Sequence, residues 1–235
     1  MVRIFRSARL PRRRSARLPR RLLLLVGFCW LLLPGEAAAN LFFDRGTWLL
    51  GQNDLQGAIT DLNRAIEIDP RAVDAYLNRG IAYERLRQWD KAIGDYSRVL
   101  ELQPQDAYAY NNLGNAYGGK GEWERSLAYY ERAAQLDPKL SISQVNAALV
   151  LYQVGREVEA AKRIRNLVRR YPYWAEVRAA WTVMLWQQGR HGEAESNWVA
   201  VLGLDKRYTD LEWVREVRRW PPRLVEELEK FLQLQ

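Results

Sequence analysis

The chain has 235 residues, with 36 lysines and arginines against 28 aspartates and glutamates, ten tryptophans, one histidine and one cysteine. A single cysteine leaves no material for an intrachain disulfide or a thiolate metal centre. The positive excess sits at the N-terminus, where nine arginines precede residue 22, so residues 40–235 hold 27 bases and 27 acids and give no electrostatic support for nucleic-acid binding.

The first element is a leader. Arginines from Arg3 to Arg21 run into the apolar stretch of residues 22–33, followed by Pro34-Gly35 and by Ala37-Ala38-Ala39. A basic head, a short apolar run and an A-x-A exit describe a secretory signal peptide. Twelve apolar residues reach about 18 Å as a helix, short of the roughly 30 Å of a bilayer core. Residues 1–39 are therefore expected to be cleaved, with Asn40 as the mature start. Cys29 lies inside the apolar run, and Phe28 before it stands where a lipoprotein signal needs a small residue. The rest of the chain then has no thiol.

From residue 39 the sequence falls into five gapless rows of 34: 39–72, 73–106, 107–140, 141–174 and 175–208. One column reads Gly46, Gly80, Gly114, Ala148, Thr182, and a second reads Ala58, Ala92, Ser126, Ala160, Ala194. Between them runs a bulky column of Leu62, Tyr96, Tyr130, Ile164 and Trp198. Small residues suit the crossing point of two helices, where a larger side chain would force the backbones apart. Pro70, Pro104, Pro138 and Pro172 close the rows, because proline biases the residue before it away from helical angles. Gly121, Gly155 and Gly189 mark the turn inside a row.

This pattern resembles the tetratricopeptide repeat, a helix–turn–helix unit of that period. The resemblance implies an all-α fold, a right-handed α-solenoid whose first helices line a concave groove and whose second helices face outward. One such unit cannot bury its apolar face alone, so the units stack and the ends need covers. Residues 40–208 are read as five units and residues 209–235 as C-terminal capping helices. There Thr209 with Glu212 forms a capping box, and Pro221-Pro222 ends one helix and opens another. In the last helix Leu224, Val225, Leu228, Phe231 and Leu232 form one apolar stripe, read as the cover of the fifth unit.

Asparagines give the sharpest functional signal. Asn78, Asn112 and Asn146 recur at the repeat spacing on first helices, with Asn111 and Asn115 widening the polar strip in the middle unit. Asparagine is a mediocre helix former, and its amide offers donor and acceptor together. Two readings stand side by side. The amides grip the backbone of an extended peptide, similar to the asparagine ladder of peptide-binding tetratricopeptide domains, or they cap and bridge neighbouring helices. Neighbouring groove columns carry Phe43, Leu77, Val145 and Ala179 rather than lysines and arginines, which disfavours a clamp for a terminal carboxylate. Trp186, one turn past the core positions of its helix, is expected to look into the groove, where aromatic anchors are common hot spots. Arg163, Arg165, Arg169 and Arg170 form a candidate docking patch for an acidic partner or anionic headgroups on the outer face.

Catalysis finds little support. His191 is a turn residue, no phosphate-binding glycine loop is present, and most acids fall on exposed faces or helix ends. No cofactor or metal is expected. The chain reads as a non-catalytic interaction module, an adaptor or assembly factor that binds a protein or peptide outside the cytoplasm. The tail from Leu211 to Pro222 resembles that of tetratricopeptide proteins in cyanobacteria and plastids. That resemblance implies the periplasm or thylakoid lumen and a place near photosynthetic complexes. The rival readings are a self-associating scaffold and a protein tethered to the membrane by an uncleaved leader.

Overall fold

The structure, a computed structural model, describes residues 35–234. The expected leader up to residue 34, Cys29 included, lies outside the described residues. Ala37, Ala38 and Ala39 fall in the first turns of helix α1, and Ala38 and Ala39 are buried there.

Among the described residues ten helices pair into five hairpins: α1 (Gly35–Gly51) with α2 (Leu55–Ile68), α3 (Val73–Arg85) with α4 (Trp89–Leu102), α5 (Ala107–Gly119) with α6 (Trp123–Leu136), α7 (Ser141–Gln153) with α8 (Glu157–Arg170), and α9 (Ala175–Gln187) with α10 (His191–Leu204). A 3-10 turn (Lys206–Thr209) and two further helices, α11 (Leu211–Glu216) and α12 (Pro222–Leu232), complete an all-α solenoid.

The small column does what the spacing requires. A Cβ on Gly80 would stand 2.5 Å from the Tyr96 ring, and one on Gly114 2.6 Å from Tyr130, distances no real side chain tolerates. The bulky residue of each second helix thus lies directly on the backbone of its first helix. In the turns the left-handed column runs further than its glycines. Asn53 and Arg87 adopt φ 63° and 58°, in register with Gly121, Gly155 and Gly189 at 77°, 80° and 72°. Each hairpin closes its first helix with the same bond, a backbone N–H reaching the carbonyl five residues back: Asp54 to Leu49, Gln88 to Tyr83, Glu122 to Tyr117, Arg156 to Leu151 and Arg190 to Leu185, all within 3.0 Å. This is the Schellman termination, and its left-handed residue is costly for anything but glycine or asparagine. Arg87 bears that cost.

Where the proline column lapses at Lys206, the chain turns through the 3-10 segment instead of starting a sixth unit. The cap of α11 is Asp210, whose carboxylate accepts from the Trp213 N–H at 3.0 Å. Thr209, expected in that role, instead donates its hydroxyl to the Lys206 carbonyl. Pro222 opens α12 at a first-turn position, where its missing N–H costs nothing.

First helices touch in series, α1 with α3 and α3 with α5, and so form the inner face. The expected cover of the fifth unit reaches the fourth as well, and it lies on the inner side rather than on the end. Helix α12 packs against α7 and α9, both first helices, and bridges them from the inside of the solenoid. Its apolar stripe joins a hydrophobic core that runs without a break from Leu127 to Phe231, while two smaller cores serve the first three units.

Candidate functional site

The inner face is built from positions that repeat every 34 residues on the first helices, and it changes character along its length. Over α7 and α9 its residues are apolar and sealed. Val145, Leu149, Ala179 and Val183 are all at most 3% exposed, with α12 above them. Leu224, Val225, Leu228 and Phe231 of α12 are likewise fully buried, and each such side chain contributes about 1.5–3 kcal/mol. Over α1, α3 and α5 the equivalent positions Phe43, Thr47, Ile81 and Asn115 are only half-covered, while Leu77 and the polar Asn111 are buried.

Trp186 does face the groove, and its ring meets the tail. It stands edge-on to Phe231 at 5.3 Å and to His191 at 4.0 Å. Nearby Gln187 bonds Glu227 of α12. At the start of α12 the Arg223 backbone N–H donates to Gln153 Oε1 at 2.9 Å, and its guanidinium donates to the Tyr152 carbonyl at 3.0 Å.

Two carboxylates on the groove wall hold the segment before α12, and sequence reading missed both. Glu176, at the start of α9 and 2% exposed, accepts from the Arg218 guanidinium and, at 3.1 Å, from the Trp220 indole N–H. Glu84, at the end of α3 and 8% exposed, accepts from Arg219 and, at 2.8 Å, from the Tyr96 hydroxyl. Arg219 also lies over the Trp89 ring, 5.5 Å from its centroid. Burial pushes the Glu84 carboxyl above its ordinary range, opposed by the Arg219 charge and the Tyr96 hydroxyl, and burial lowers the Arg218 guanidinium. A buried ion pair contributes little net stability, but removing one partner strands the other charge at a cost of about 3–5 kcal/mol. A signal for these residues was present. Glu84 is the lone acid in a column of Leu50, Gly118, Tyr152 and Trp186, and the tail offers adjacent arginines.

The asparagines make bonds between helices. Asn78 Nδ2 donates to Thr47 Oγ1 at 2.9 Å, joining α3 to α1. Asn111 Oδ1 accepts from Ser143 Oγ at 3.1 Å and from Asn146 Nδ2 at 3.4 Å, joining α5 to α7. Asn112 Oδ1 accepts from Asn111, and Asn115 Oδ1 accepts from the Tyr130 hydroxyl at 2.7 Å. On the outer face Arg163 is committed to Glu131 and Glu159 at 2.8 and 2.6 Å. Arg170 lies over the Tyr171 ring, while Arg165 and Arg169 are exposed. Among the described residues no helix is long and apolar enough to cross a membrane, and no group of three acids or histidines is gathered as a metal site.

A tetratricopeptide-repeat family profile matches residues 77–141 and 111–175, and a second profile described as TPR repeat matches residues 49–86. No curated protein matches the chain. Among solved structures, PilF of Pseudomonas aeruginosa superposes with a TM-score of 0.67 at 19% identity, over 85% of this chain and 91% of its own. MamA superposes with a TM-score of 0.61 at 20% identity, over 75% of this chain and 96% of its own. An O-GlcNAc transferase from Thermobaculum terrenum gives 0.56 at 18% identity, over 59% of this chain but 27% of its own. At these identities the likeness is one of fold.

Proposed function

The chain belongs to the tetratricopeptide-repeat family, and on that footing we propose that it is a non-catalytic adaptor or assembly factor that holds a protein segment against its inner face. Repeats of this family are typically protein-interaction modules. One observation carries the reading: the inner face already takes a polypeptide, its own α12, through apolar side chains and paired carboxylates. The stretch over α1, α3 and α5 offers a partner the same kind of surface without a cover. There Phe43 and Ile81 supply apolar area, and Asn112 keeps its Nδ2 donor.

The basic leader with its A-x-A exit supports export, to a periplasm or a thylakoid lumen. The resemblance of the tail to cyanobacterial and plastid proteins supports work near photosynthetic complexes. Self-association is favoured by one feature. Leu41 and Trp48, 43% and 61% exposed and two turns apart on α1, leave apolar area uncovered on the first unit.

The test is a photo-crosslinker placed at Ile81 or at Leu149 in the full chain, exposed to an extract of its native compartment. A partner should be captured through position 81, and through position 149, which lies under α12, only where that helix has been displaced. Against that partner, Asn112→Ala should weaken binding by about 0.5–1.5 kcal/mol, the net worth of one hydrogen bond. Capture of no protein through position 81, with only chain-to-chain products, would replace the adaptor reading with the scaffold reading.

A further inference from the structure

The segment from Arg218 to Phe231 is attached differently from the way the units are attached to one another. Successive units meet through matching columns. This segment instead places two arginines, adjacent in sequence, on two carboxylates three units apart, Glu176 on α9 and Glu84 on α3. Both acids are buried, and among the described residues no lysine or arginine from α1 to α10 bonds either of them. The other partners of Glu84 are the Tyr96 hydroxyl and the Asn115 amide, and that of Glu176 is Trp220, which belongs to the tail itself. A buried carboxylate without a cation is strongly disfavoured. The wall is therefore shaped for two guest cations. The apolar trough over α7 and α9 is in the same way shaped for an apolar helix. Between the buried Val214 and Trp220, by contrast, the chain is lightly held. Val217 is 61% exposed, Glu216 meets Arg87 at the surface, and Arg219 sits in the left-handed region at φ 54°.

We propose that Arg218–Phe231 is an internal ligand, and that the partner of the inner face is a polypeptide of the same chemistry that takes its place: two adjacent arginines, an indole, then a proline-started helix with an apolar stripe. This rests on the interaction reading above and names the kind of segment recognised. Charge complementarity selects it, because the two buried acids reject any guest that lacks paired cations. The tether makes the chain's own copy a competitor at high effective concentration, so the groove discriminates against weak guests.

The experiment uses the full chain with a protease site inserted between Thr209 and Asp210, both exposed, so that cutting frees the tail while Tyr208, buried against Trp213 and Trp220, stays on the body. The probe is a fluorescent synthetic peptide of residues 210–235. Once the chain is cut, the peptide should exchange into the groove. The uncut chain should bind it about 100-fold more weakly, the penalty set by the tether. A peptide with both Arg218→Ala and Arg219→Ala should fail to exchange. The proposal is overturned if the cut fragment is not replaced by excess peptide, or if the chain that has taken up the peptide lacks the helical circular dichroism of the uncut chain. Tail-swapped dimers of the uncut chain in light scattering would also overturn it, since the guest would then be a second copy. Exchange without any partner captured through position 81 would count against the adaptor reading alone, and capture without exchange would count against the internal ligand alone.

Discussion

The two ends of the groove are made from the same repeat and are finished in different ways. Over α1, α3 and α5 the first helices touch one another directly, and polar bonds such as Asn78 to Thr47 knit them while leaving the inner face open. Over α7 and α9 the inward positions are valine, leucine and alanine, which a solenoid cannot leave wet, and α12 lies across them. A repeat fixes where the inner face is. The composition of that face decides whether it is kept for a partner or closed by the chain.

The strongest way to break this contrast is to remove the cover. A stop after Pro221 exposes the trough over α7 and α9 and deletes four fully buried side chains, a loss of about 6–12 kcal/mol. Hydrogen exchange should show α7 to α10 losing protection while α1 to α4 keep it. Uniform loss along the chain would mean that the two ends are one cooperative unit. A smaller break comes from Arg218→Ala, which strands the buried Glu176. Chemical denaturation should show a loss of about 3 kcal/mol, whereas the same change at Arg98, in its exposed pair with Glu101, should cost far less. The smallest effect sharpens the contrast from the open side. Arg87→Gly relieves a left-handed residue at the turn of the second unit and should raise stability by about 1 kcal/mol, less the weak surface pair with Glu216. A melting temperature that falls would show that this pair holds the tail more firmly than its exposure suggests.

The open end was largely legible in the sequence, and the closed end was not. Gly80 beneath Tyr96 and Gly114 beneath Tyr130 are consequences of a covalent period that equals the structural one, so counting by 34 finds them. The same ruler sets Trp186 one turn past the core positions of its helix, but it cannot find the ring that Trp186 meets, Phe231. The apolar stripe of α12 announces that it must cover something, and eleven residues of amphipathic helix fit the end of a solenoid as well as its inside. What decides between them is a pair of side chains, Glu84 and Arg219, 135 positions apart. No local pattern connects them. The asparagine column shows the opposite difficulty, because one amide chemistry serves a guest peptide and a neighbouring helix equally well, and only coordinates show Asn146 reaching Asn111.

The bond between Glu84 and Arg219 also changes how the molecule can assemble. A solenoid folds as a row of neighbours, each stretch meeting the one made about 34 residues earlier, so its pieces can form in the order of synthesis. A closure across 135 residues spans two doublings more, about 1.2 kcal/mol of additional entropy if the chain between were loose. Stacked units are not loose, and once they have formed that cost has already been met. Docking of the tail therefore belongs at the end of folding, after every unit it touches is in place, and turns a one-dimensional row into a ring. Until that moment the nascent molecule presents its whole inner face, including the stretch that the finished one conceals.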